Sequence, residues 1–100
     1  MNNKVTVTVD PDLEALIPGF LENRHKDVQA MTEALNTREF ATIQSIGHSL
    51  KGVGGGYGFS RISDIGAGLE SAAREQDSAA IQALIASLQD YLGNVEVVYQ

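Results

Sequence analysis

Four apolar stripes, each spaced by threes and fours and separated by gaps of only a few residues, restrict this chain to helices packed side by side. The first runs through Leu13, Leu16, Ile17, Phe20, Leu21, Val28, Met31 and Leu35. The second takes in Ile43, Ile46, Leu50, Val53 and Tyr57, and the third Ile62, Ile65, Leu69 and Ala72. The fourth holds Ile81, Leu84, Ile85, Leu88, Tyr91 and Leu92. Such spacing gathers apolar side chains on one helix face. Gaps this short make successive helices antiparallel neighbours. The predicted fold is therefore all-α, an antiparallel up-down four-helix bundle.

The start and stop signals agree with that reading. Asp10-Pro11 offers a cap followed by a proline at the first helical position. Pro18 breaks or kinks the first stripe, giving a short extra N-terminal helix before a longer one. Asn36-Thr37-Arg38-Glu39 reads as a capping box opening the second bundle helix. Ser60 is the expected cap of the third helix, Asp77 or Ser78 that of the fourth, and Gly93 its stop. Outside the helical core of residues 10–93, both ends are β-prone. Val5, Val7 and Val9 alternate with threonines, and Val95-Glu96-Val97-Val98-Tyr99 is rich in β-branched residues. Segments 4–9 and 95–99 could pair as a ribbon, which the helices or a second subunit would have to cover.

A chain of 100 residues is one domain, 1–100, long enough to hold a core without staples. It has no cysteine, which excludes disulfides and thiolate-ligated zinc. A net charge of -6 argues against nucleic acid and anionic membranes as partners. No apolar run is long enough to span a bilayer, and Met1-Asn2-Asn3-Lys4 does not begin a signal peptide. A soluble cytoplasmic protein is expected. It should be monomeric, with dimerisation through the terminal strands as the alternative.

His48 is the residue that carries chemistry. At about 100° per residue it lies roughly 180° from the stripe of its own helix, so its ring projects outward. Lys51 flanks it, Gln44 stands one turn before, and Gly52 and Gly55 leave the rest of that face bare. Glycine inside a helix costs about 1 kcal/mol relative to alanine, so propensity alone does not select this composition. Gly47 and Gly54, near the stripe's edge, would let a neighbouring helix approach; Gly52 and Gly55 would let another protein approach His48. The helix could end near Gly54 in a flexible loop, but Tyr57 still fits the stripe and favours a helix that runs past it. A neutral imidazole nitrogen can accept a phosphoryl group and release it again. Lys51 can offset part of that group's charge. Nothing near His48 looks like a pocket-forming acid–base partner, and a carrier needs none if its partner brings the metal and the other catalytic groups.

The run His48-Ser49-Leu50-Lys51-Gly52 resembles the H-x-L-K-G signature of histidine-containing phosphotransfer (HPt) domains of bacterial multistep phosphorelays. The resemblance extends to Gly58, ten residues after the histidine, and to Leu69-Glu70 with Ala72-Ala73-Arg74. It spans about residues 10–93. Val53-Gly54-Gly55-Gly56 departs from the Ser or Ala common after the K-G pair, which implies a looser helix end and leaves partner preference untransferred. The resemblance implies a phosphocarrier without catalytic turnover and without a bound cofactor. Its partners would be response-regulator receiver domains or a hybrid sensor histidine kinase, the receiver supplying Mg²⁺. By the same resemblance His48 is the phosphoacceptor, Lys51 the stabilising cation and Gly52 the small residue that permits docking. Gln44 would hydrogen-bond near the site.

Other readings fare worse. The glycine-rich segment contains neither G-x-x-x-x-G-K-[ST] nor G-x-G-x-x-G, and it follows a helix rather than a strand. His25, within Arg24-His25-Lys26-Asp27, reads as a solvated helix face. Glu70, Arg74 and Asp77 read as a salt-bridged exterior. Tyr57 is expected in the core, and Phe59 fits either core or rim. The remaining alternative is a helical module that binds a receiver or kinase without carrying phosphate.

Overall fold

The computed structural model describes residues 4–100; the leader reading of Met1-Asn2-Asn3 lies outside the described residues. Strand β1 (Val5–Val9) leads into a 3-10 helix (Pro11–Leu16) and then α1 (Ile17–Asn36). Three further helices follow, α2 (Phe40–Gly56), α3 (Ser60–Arg74) and α4 (Ser78–Asn94), and strand β2 (Val95–Tyr99) ends the fold. The four helices pack together as expected, and the short N-terminal helix precedes α1. Asp10 caps that short helix, its Oδ1 accepting from the Asp12 N–H at 2.9 Å. Pro18 falls in the first turn of α1, where a missing N–H goes unneeded.

The two terminal strands form a two-stranded parallel ribbon, with Val5 opposite Val95 and Val9 opposite Tyr99. Val7, Val9, Val95, Val97 and Tyr99 pack against the core, while Thr6, Thr8 and Glu96 are exposed. A lone two-stranded ribbon is marginal in water, and the bundle supplies the missing cover.

All three turns between helices share one closure. Just past the ends of α1, α2 and α3 stands a residue of left-handed φ: Arg38 (56°), Gly58 (87°) and Gln76 (55°). The next N–H in each case reaches back to the helix: Glu39 to the Ala34 carbonyl (2.8 Å), Phe59 to Gly54 (2.8 Å) and Asp77 to Ala72 (2.9 Å). This is the Schellman pattern, and it satisfies carbonyls that the helix end leaves open. Glu39, Phe59 and Asp77 then serve as N-caps of the following helices. Two expectations fail for this reason. Asn36-Thr37-Arg38-Glu39 makes no capping box, because it is spent closing α1, and the Thr37 hydroxyl bonds the Glu39 carboxylate instead. Ser60 does not cap α3; the cap position belongs to Phe59. Asp77, rather than Ser78, caps α4, accepting from the Ala80 N–H at 3.1 Å. Gly93 does not stop α4, which runs to Asn94 and passes directly into β2.

The inward stripes of α3 and α4 match expectation closely. Ile62, Ile65, Leu69 and Ala72 are buried, as are Ile81, Ile85, Leu88, Tyr91 and Leu92, with Leu84 half-buried. Leu16 departs from its stripe and is exposed, since it ends the 3-10 helix rather than joining α1. The α2 stripe is rotated. Ile43, Gly47, Leu50 and Gly54 form the buried line, and Ile46, Val53 and Tyr57 are half-buried beside it. Phe59 belongs to the core, fully buried and stacked on Phe20 at 5.1 Å; Tyr57 meets the same ring at 4.5 Å. On α1, His25 and Lys26 are solvated as predicted. Arg24 and Asp27 are half-buried and paired at 2.9 Å, with the guanidinium over Phe20.

The rotation of α2 follows from its contact with α3. A Cβ on Gly47 would lie 2.7 Å from the Glu70 backbone nitrogen. One on Gly54 would lie 2.6 Å from that of Ser63, and one on Gly66 2.5 Å from that of Lys51. At these points backbone meets backbone. α2 therefore continues through its glycines to Gly56 instead of loosening near Gly54, because α3 packs against it there.

Candidate functional site

His48 stands on the outer flank of α2, about 130° round from the buried line of Ile43, Gly47, Leu50 and Gly54, and its side chain is 70% exposed. The close α2–α3 crossing sets Glu70 of α3 beside it. Glu70 Oε2 lies 2.9 Å from His48 Nδ1, and Oε1 accepts from the Lys51 ammonium at 2.9 Å. The Glu70 side chain is only 15% exposed. Arg74, one turn further along α3, places Nη2 3.8 Å from Oε2.

The electrostatics of this group settle the ring's hydrogen bonding. The Lys51 ammonium, and then the His48 ring, hold the Glu70 carboxyl below the usual carboxylate range against the opposing effect of partial burial. Glu70 is thus ionised at neutral pH and can only accept hydrogen bonds. The bond at 2.9 Å therefore assigns the proton to Nδ1, which donates to Oε2. In the neutral ring the lone pair then resides on Nε2. A carboxylate beneath an imidazole fixes both its tautomer and its orientation. The arrangement presents a nucleophilic nitrogen with a cation close by.

The structure brings some predicted residues together and separates others. His48 and Lys51 meet through Glu70. Gln44 is half-buried and lines a shallow cleft with Ala41, Ser45, His48 and Glu70, but the ring's hydrogen bond goes to Glu70 and not to Gln44. Gly52 and Gly55 are exposed, and a Cβ on either would meet nothing within 4 Å. The outer surface following His48 is bare, as its composition implied.

Glu70 is the residue that departs from the sequence reading, whereas Arg74 is exposed and paired to it as expected. The expected salt bridge to Arg74 is present, but the Glu70 side chain is largely covered and joins His48 to Lys51, so the ring has a carboxylate partner that its own helix does not reveal. Asp77, grouped with them, caps α4. A signal was present in Gly47 and Gly66, one on each helix, whose mutual approach sets the register that brings position 70 to position 48. Among the described residues, no group of three or more His, Cys, Asp or Glu could hold a metal ion. No helix among them is long and apolar enough to cross a membrane.

Comparison with known proteins agrees with this geometry. No curated protein and no solved structure matched the chain. The family described as Hpt domain matches residues 15–97, which takes in all four helices and the His48–Glu70–Lys51 group. Members of that family are phosphocarriers rather than catalytic enzymes, interact with receiver domains and kinases, and serve histidine phosphotransfer in phosphorelays. A match over most of the chain, on a helical bundle that presents a histidine to solvent, places this protein in the Hpt domain family.

Proposed function

We propose that His48 accepts a phosphoryl group from the aspartyl phosphate of one receiver domain and passes it to the aspartate of another. The observation that carries this reading is the exposed ring with its Nδ1 bound to Glu70, which leaves Nε2 as the nucleophile. The Nε2 lone pair attacks phosphorus, and the bond between phosphorus and the aspartate oxygen breaks, its electron pair remaining on the aspartate. The proton on Nδ1 stays where Glu70 holds it. Onward transfer reverses these roles. Lys51, within reach of both Glu70 and the transferred group, offsets part of the added negative charge. Mg²⁺ comes with the receiver, and the bare surface at Gly52 and Gly55 receives it.

The test mixes the protein with a phosphorylated receiver and Mg²⁺ and follows the label. Acid-labile, base-stable transfer that is lost in His48→Gln and kept in His25→Gln is expected. Binding to cognate receivers with no transfer would overturn the carrier reading. Lys51→Ala should keep its fold and slow transfer by about tenfold, the scale of one lost charge-assisted contact; an unchanged rate would make Lys51 incidental.

A further inference from the structure

We propose that Arg74 is a positioning residue that takes hold of Glu70 when Lys51 turns from it to the phosphoryl group on His48. This rests on the carrier reading above and goes beyond it.

The two oxygens of Glu70 are committed separately at rest. Oε1 accepts from Lys51 and Oε2 accepts from His48, each at 2.9 Å. Arg74 Nη2, at 3.8 Å from Oε2, is inside ion-pair range but outside hydrogen-bond range. Its side chain is 62% exposed and lies one helical turn after Glu70, so a side-chain rotation brings the guanidinium in without moving the backbone. A phosphoryl group on Nε2 adds about two negative charges on the side of the ring away from Glu70. The phosphoryl group and Glu70 then compete for the one ammonium, and the larger charge draws it away. When Lys51 goes to the phosphoryl oxygens, Oε1 loses its donor while Glu70 remains largely covered. The planar fork of Arg74 matches a carboxylate with two parallel N–H bonds and stands ready to replace it.

The consequence concerns how long the phosphoryl group stays. A Glu70 carboxylate without a cation holds the Nδ1 proton on the phosphorylated ring, and a ring that keeps that proton is the better leaving group. Arg74, by neutralising Glu70, holds that tendency down and prolongs the phosphorylated state. Without Arg74 the phosphohistidine should be lost faster.

The experiment uses phosphoramidate, a small donor that needs no partner protein. Nε2 bonds to phosphorus, the P–N bond of the reagent breaks, and ammonia leaves. The ³¹P signal gives the lifetime of phosphorylated His48 after the reagent is removed. Arg74→Gln should shorten that lifetime about two- to fivefold, the range of an exposed ion pair. Arg74→Lys should restore most of it. In a Glu70→Gln background, Arg74→Gln should change nothing further, because the charge it serves is gone. Thermal melts on the same samples exclude a folding effect. An unaltered lifetime in Arg74→Gln, or equal shortening in the Glu70→Gln background, would overturn the exchange while leaving the carrier reading in place. A His48 that neither phosphoramidate nor any receiver modifies would remove both.

Discussion

Helix α2 uses one residue type for two opposite purposes. On its inner side Gly47 and Gly54 meet the backbone of α3, and neither position has room for a methyl group. On its outer side Gly52 and Gly55 meet nothing. The inner pair sets how closely two helices approach and thereby brings Glu70 to His48. The outer pair contributes nothing to the fold and, by the propensity scale, weakens the helix. Under the proposed function, that open surface is where a receiver comes to rest. The contrast teaches that the same residue, eight or fewer positions apart on one helix, either sets a helix crossing or leaves a surface open according to the face it occupies.

The sharpest way to break the contrast is to add a methyl group on the inner side. Gly66→Ala, aimed at the Lys51 backbone 2.5 Å away, should force α3 from α2 and cost roughly 3 kcal/mol, the upper part of the overpacking range. The melting temperature should fall by more than about 12 °C, and transfer should slow because Glu70 is carried away from His48. A melt unchanged within a degree or two would mean that the helices do not cross so closely.

Bulk on the outer side should act in the opposite sense. Gly52→Gln is expected to weaken receiver binding by about tenfold, one or two kcal/mol of lost contact. Its melting temperature should hold or rise. Gly52→Ala, a smaller probe, should stabilise the protein by up to about 1 kcal/mol. Titration calorimetry and melts on the same samples separate the two effects. Unimpaired binding by Gly52→Gln would leave the bare face without a function.

The smallest effect lies in titration. The Glu70 carboxyl is held below the ordinary value of 4.5 by Lys51 and then His48. A depressed carboxyl contributes stability above its unfolded pKa and loses it as pH falls through the lower, folded one. The His48–Glu70–Lys51 group should therefore outlast acidification to 4.5 and come apart only below it. Carbon-detected NMR of the Glu70 carboxyl should show a midpoint under 4.5, moving back toward it in Lys51→Ala. A wild-type midpoint at or above the ordinary value would contradict the ion pairing.

Much of this was legible in the chain itself, for reasons that differ by residue. The stripes of α3 and α4 emerge from periodicity because each helix packs through large aliphatic side chains. The α2 stripe misled by a fraction of a turn because glycines, which carry no hydropathy signal, occupy the centre of its contact. His48 and Lys51 were readable because they are neighbours on one helix. Glu70 was not, because its partnership with them depends on the register between two helices, and a single sequence holds that only as a pair of small residues in separate segments. The capping-box reading of residues 36–39 failed since one four-residue string can close the preceding helix or open the next, and here Arg38 and Glu39 close α1.

Those corners have a mechanical meaning. The residue that seals one helix is also the one from which the next departs, at Glu39, Phe59 and Asp77 alike. Such joints have no slack. Inserting or deleting one amino acid there would swing the downstream rod by about 100° about its own axis, turning its inner edge to water. The platform that bears the imidazole thus keeps its inner edge turned inward only while these joints keep their length.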